Sequence, residues 1–106
     1  MNDRELLELA AKAAGVNGQW SDYHNGICYS KKGSLDMHVW RPLDDDGDAL
    51  RLAIHLGFTV EPGRCWHSPY GPAFGEDVLD GELKSTRRAI VRAAAMLAQR
   101  EKEQQN

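Results

Sequence analysis

The stretch DGELKSTRRAIVRAAAMLAQREKEQ, residues 80–104, constrains this chain more than any other. It has no proline and no glycine after Gly81, and it sets Leu83, Ile90, Ala94 and Leu97 on one face of a helix. A helix of that length in a chain of 106 residues leaves room for one core and one domain. The composition agrees: 42% hydrophobic and 27% charged residues describe a globular protein, not a disordered one. Residues 1–98 are read as the domain, and the polar stretch 99–106 is expected to fray.

The N-terminal segment has the same helical period. Leu6, Leu7, Leu9, Ala10, Ala13 and Ala14 recur at spacings of three and four, Asn2 and Glu5 have capping-box spacing, and Gly15 stands where a C-terminal cap belongs. This predicts a helix over residues 3–14. The following VNGQWSDYHNG is rich in turn formers and reads as a loop anchored on the core by Trp20 and Tyr23.

Residues 26–30 and 35–40 flank Lys-Lys-Gly-Ser, and the second run alternates, which predicts a β-hairpin. Residues 58–61 and 64–67 flank Pro62-Gly63, the pair suited to the centre of a type II turn, which predicts a second one. SPYGPAFGED, residues 68–77, reads as a loop. The resulting order α, β, β, α, β, β, α defines an α+β domain. Its sheet is small and mostly antiparallel, with three or four strands packed by three helices.

Between the two hairpins lies WRPLDDDGDALRL, residues 40–52, where Asp44, Asp45, Asp46 and Asp48 crowd around Gly47. An EF-hand loop needs glycine at position six and glutamate at position twelve. Setting Gly47 at position six puts Pro42 at position one and Ala53 at position twelve, while starting at Asp44 puts Ala49 where the glycine belongs. Both registers fail. The acids suit a helix start instead, because the unpaired N–H groups and partial positive charge at that end favour aspartate as cap and in the first turn. Leu50, Ala53, Ile54 and Gly57 then define the inner face, with Leu52 and Leu56 widening it, and Gly57 ends the helix.

Little else carries chemistry. Cys28, Cys65, His24, His38 and His67 include zinc-ligand atom types, but no C-x-x-C or H-x₃-H pair accompanies them. No phosphate loop, HExxH or G-x-S-x-G pattern occurs, so an enzyme is disfavoured and no cofactor is expected. The net charge of -3 argues against a globally basic nucleic-acid binder. No apolar run spans a bilayer and no signal-peptide pattern opens the chain, so a cytoplasmic protein with free thiols and no membrane partner is expected.

Two surfaces remain as binding candidates. Lys84, Arg88 and Arg92, spaced four apart with Arg87 beside them, form a basic stripe suited to an acidic protein or to phosphates. Trp40 and Trp66, in or beside strands, and Tyr70 and Phe74, in a glycine- and proline-rich loop, supply aromatics that can serve as binding anchors or as lids on the core.

Residues 40–53, Trp-Arg-Pro-Leu-Asp-Asp-Asp-Gly-Asp-Ala-Leu-Arg-Leu-Ala, and residues 86–95, Thr-Arg-Arg-Ala-Ile-Val-Arg-Ala-Ala-Ala, resemble the two signatures of the phage ABA sandwich domain family. The likeness spans about residues 5–98, apart from 62–80. It implies an α/β/α sandwich and a phage or prophage product acting inside a bacterium, and it carries over no catalytic residue. The expected function is a non-enzymatic accessory module that binds a host or phage protein and can block a host system. The alternative is a small nucleic-acid-binding or regulatory protein using the basic helix. A weaker one is a divalent-metal enzyme at Asp44, Asp46 and Asp48.

Overall fold

The computed structural model describes residues 1–30, 33, 35–67, 73–75 and 81–104. In chain order the elements are α1 (Asp3–Ala14), β1 (Gly18–Ser21), β2 (Gly26–Ser30), β3 (Met37–Trp40), α2 (Asp46–Leu56), β4 (Thr59–Glu61), β5 (Arg64–Trp66), β6 (Ala73–Gly75) and α3 (Glu82–Gln104). The protein is therefore an α+β fold with antiparallel strands packed by three helices.

The first two helices begin and end in the same way. Asn2 Oδ1 accepts the Glu5 N–H at 2.8 Å, and Asp45 Oδ2 accepts the Asp48 N–H at 2.8 Å. Each thereby satisfies one amide that the helix leaves unpaired. At the other end Gly15 and Gly57 both take φ 73°, where a Cβ is disfavoured. The next residues donate back five positions, Val16 to Ala11 O and Phe58 to Ala53 O, both at 2.9 Å. Val16 and Phe58 then pack against the core, so each stop signal also sets the entry into the sheet that follows.

Six strands form two three-stranded antiparallel sheets, β1-β2-β3 and β4-β5-β6. In the first, Ile27 pairs with Trp40 and both are buried. In the second, Pro62 and Gly63 make the predicted tight turn with Gly63 at φ 75°, and the Gly63 N–H is taken by Thr86 Oγ1 at 2.7 Å. The first sheet lies against α1 and the second against α3, and α1 and α3 make the most extensive helix pairing in the molecule. Ala10 and Ala11 on one side, with Ala89, Ala93 and Ala94 on the other, are almost wholly buried. Such small side chains let two helix axes approach closely.

Three expectations change. The segment after α1 is not all loop: it holds β1, an edge strand in which a Cβ on Gly18 would sit 2.4 Å from the Cys28 carbonyl oxygen. Tyr23 is no core anchor but 92% exposed, at a turn closed by the Asn25 N–H on the Ser21 carbonyl. Within residues 68–77, Ala73–Gly75 is a strand, so the second hairpin is the start of a sheet of its own. The last helix, Glu82–Gln104, follows the stretch that its residue pattern predicts.

The inward face of α2 also differs from the expected one. Asp48, Ala49, Leu52 and Ala53 are buried, while Leu50 is 57% and Ile54 70% exposed. Apolar residues lie almost all round this helix, so period alone leaves its rotation open. The rotation is set by Asp48, whose Oδ2 accepts the Arg41 N–H at 2.9 Å and holds that side toward the first sheet.

Candidate functional site

The acidic cluster at the start of α2 is matched carboxylate by carboxylate. Asp44 lies 3.5 Å from Arg41, and Asp45 caps the helix and lies 3.8 Å from Arg51. Asp46 receives Arg87 Nη1 at 2.6 Å. Asp48 accepts Arg51 Nη2 on Oδ1 at 2.8 Å and the Arg41 N–H on Oδ2. Gly47 has its own reason: a Cβ there would come 3.2 Å from both Arg51 Nη2 and Asp45 Oδ2, so bare backbone lets the guanidinium fold back over the first turn. The Asp48 hydrogen bond is the main cause that pushes the Arg51 guanidinium above its ordinary pKa. A metal at Asp44, Asp46 and Asp48 would have to recruit carboxylates aimed at three different arginines. Among the described residues no group of three His, Cys, Asp or Glu side chains is arranged to hold a metal ion.

The basic stripe of α3 is divided by its own ion pairs. Arg87, with its side chain 18% exposed, donates to Asp46 and, through Nε, to the Leu43 carbonyl at 2.8 Å, tying α3 to the start of α2. Arg88 reaches Asp3 at 3.1 Å and ties α3 to α1. Lys84 and Arg92 are exposed along the same helix. Arg87 and Arg88 therefore hold helices together. Of the aromatics, Trp66 is half-buried in β5 with the Arg64 guanidinium 5.6 Å from its ring centroid, and Phe74 stands opposite Cys65 in β6. Tyr70 lies outside the described residues.

Two further surfaces combine residues already considered, Asp46, Arg87, His38 and Asp48, with others that the sequence did not single out as a site. The first is an apolar groove between α2, β4 and the first turns of α3, a cavity of about 210 Å³ floored by Ala49 and Ile90 and walled by Leu50, Val60 and Leu83. Leu83 is 66% exposed and Val60 38%, and Ile54, one helical turn beyond Leu50, is exposed outside the cavity. Large apolar side chains exposed together mark interaction sites on soluble proteins. The signal was present as an excess: α2 carries more large apolar residues than one buried face can take up.

The second is a polar cleft of about 630 Å³ where β2 and β3 meet the start of α2, lined by Tyr29, His38, Val39, Arg41, Asp45, Asp48 and Arg51. Tyr29 and His38 are cross-strand partners with ring centroids 5.5 Å apart. A smaller cavity shares Tyr29, Asp48 and Arg51 and adds His55, Trp40 and Leu52. Sequence distance hid this cleft, since Tyr29, His38 and Arg51 lie on three separate elements.

The two thiols differ. Cys65 is fully buried, its Sγ donates to the Ala89 carbonyl at 3.3 Å, and burial pushes its pKa up to about 11. Cys28 is a free thiol on β2. No described helix is long and apolar enough to cross a membrane.

The fold is that of a small α+β domain. Comparison with protein-family models, curated proteins and solved structures finds no match for it.

Proposed function

We propose that this protein is a non-enzymatic phage or prophage accessory module that binds a host or phage protein. Its docking surface is the groove walled by Leu50, Val60 and Leu83. The observation that carries this reading is the exposure of Leu50, Val60 and Leu83 around one apolar cavity, on a chain too small to leave them there at no cost in solubility. The phage setting rests on the resemblance of residues 40–53 and 86–95.

The occupant is an amphipathic helix of the partner, with aliphatic side chains one turn apart and basic residues at its flank. The Leu50 and Ile54 ridge has the spacing of one helical turn, and about 210 Å³ suits one or two aliphatic side chains. Asp44, Asp45 and Asp46 stand at the same end of α2 with side chains 55%, 57% and 61% exposed, and the chain is acidic overall. That charge favours a basic flank and disfavours nucleic acid.

Affinity capture with the intact protein and two variant pairs tests this. A protein held by the wild type, lost with Leu50→Asp and Leu83→Asp, and retained with Arg88→Glu and Arg92→Glu is the expected result. The opposite pattern transfers the site to the basic helix. Dimerisation that disappears with Leu50→Asp gives the groove to a second copy of the chain and rejects the partner.

A further inference from the structure

The polar cleft at the other side of α2 has an imbalance of hydrogen-bonding groups that the fold does not use. Its acceptors are largely committed. Asp48 gives Oδ1 to Arg51 and Oδ2 to the Arg41 N–H, and Asp45 gives Oδ2 to the Asp48 N–H. Its donors are not. Arg51 makes both of its carboxylate contacts through Nη2 alone, and its side chain is 72% exposed. Arg41 touches Asp44 only at 3.5 Å, and its Nε is buried without a hydrogen-bond partner. A guanidinium has five N–H donors and no acceptor; the Arg41 Nε is enclosed, but the exposed N–H groups of Arg51 and Arg41 are open to an acceptor from outside.

The geometry also holds the donors still. Asp48, itself only 9% exposed, fixes one edge of Arg51 while Gly47 leaves room for the guanidinium against the helix. Ordering a long side chain in advance removes part of the entropy that binding would otherwise cost. Tyr29 lies close enough to Arg51 for the two to interact electrostatically, and with His38 it forms the opposite wall. Arg41 and Arg51 are offset by Asp45 and Asp48, so the cleft has no long-range pull on anions and must recognise its ligand by directed hydrogen bonds.

We infer that this cleft is a receptor for a compact oxyanion, a phosphoryl or carboxylate group, bound by the free edge of Arg51 with Arg41, Tyr29 and His38 around it. This site is separate from the apolar groove and does not depend on the function proposed above.

The test is NMR titration of the whole protein with inorganic phosphate and, separately, acetate, following arginine Nε–H and imidazole resonances. The expected result is a saturable shift of Arg51 and His38 signals at concentrations on the order of 1 mM, a weak complex of about 4 kcal/mol. Saturation by phosphate alone identifies a phosphoryl ligand, and saturation by both anions identifies a carboxylate-tolerant site. Arg51→Gln weakens binding by about tenfold or more, and Tyr29→Phe, which keeps the ring, by about threefold. Leu50→Asp leaves it unchanged, so failure here and failure of the groove are distinguishable. Absence of a saturable shift with either anion overturns the inference, as does undiminished affinity in both Arg51→Gln and Tyr29→Phe.

Discussion

The four aspartates at the start of α2 look alike in the sequence and differ sharply in what they hold, which makes them a graded test of the structure. Asp48→Ala is the decisive change. It leaves the half-buried Arg41 N–H without its acceptor, and an unsatisfied buried donor costs about 1–3 kcal/mol. It removes a negative charge from the first turn, worth about 0.3–1 kcal/mol. The Arg51 pair adds no more than about 0.5 kcal/mol, because that guanidinium is 72% exposed and solvent screens it. The sum is about 1.3–4.5 kcal/mol. Asp45→Ala loses the cap alone, about 1 kcal/mol. Asp44→Ala loses an exposed contact at 3.5 Å and changes stability by less than about 0.5 kcal/mol. Urea unfolding followed by circular dichroism measures all three, and thermal melting places Asp48→Ala about 5–35 °C below the wild type. Equal effects for the three variants, or an Asp48→Ala variant as stable as Asp44→Ala, would refute the account of why this cluster exists.

Other perturbations follow from the same contacts. Gly18→Ala forces a Cβ to within 2.4 Å of the Cys28 carbonyl oxygen, and because that atom is backbone, β1 must shift; a loss of about 2 kcal/mol or more in urea unfolding is expected. Leu50→Asp changes stability by less than about 0.5 kcal/mol, since the side chain is 57% exposed, while it removes binding at the groove; a large drop in unfolding free energy would show Leu50 to be core. Cys65 is held neutral by burial, so its folded pKa of about 11 lies above the ordinary 9.0. A raised folded value means its contribution is fully present below pH 9.0 and is lost as the pH rises toward 11, because only the unfolded chain gains the thiolate charge. Native protein at pH 8 should therefore react with a maleimide at Cys28 and leave Cys65 unlabelled until denaturant is added.

Local signals in the sequence determined the helices and two of the hairpins. Asn2, Gly15, Asp45 and Gly57 act within their own turns, and the Pro62-Gly63 pair sets its turn with Gly63 at φ 75°. Those interactions are short in sequence, so residue types and spacing suffice to read them. β1 and β6 were not legible, because each is an edge strand of three or four residues in glycine-rich surroundings and gains its hydrogen bonds only from a partner strand. The candidate sites were less legible still. Lys84, Arg87, Arg88 and Arg92 read as a single stripe, yet Asp46 takes Arg87 from 41 residues away and Asp3 takes Arg88 from 85. The apolar residues of α2 determined that a helix would form and bury part of itself. Which part turned inward was decided only in the tertiary structure, where the Asp48 carboxylate meets the Arg41 amide and turns Leu50 and Ile54 out to solvent.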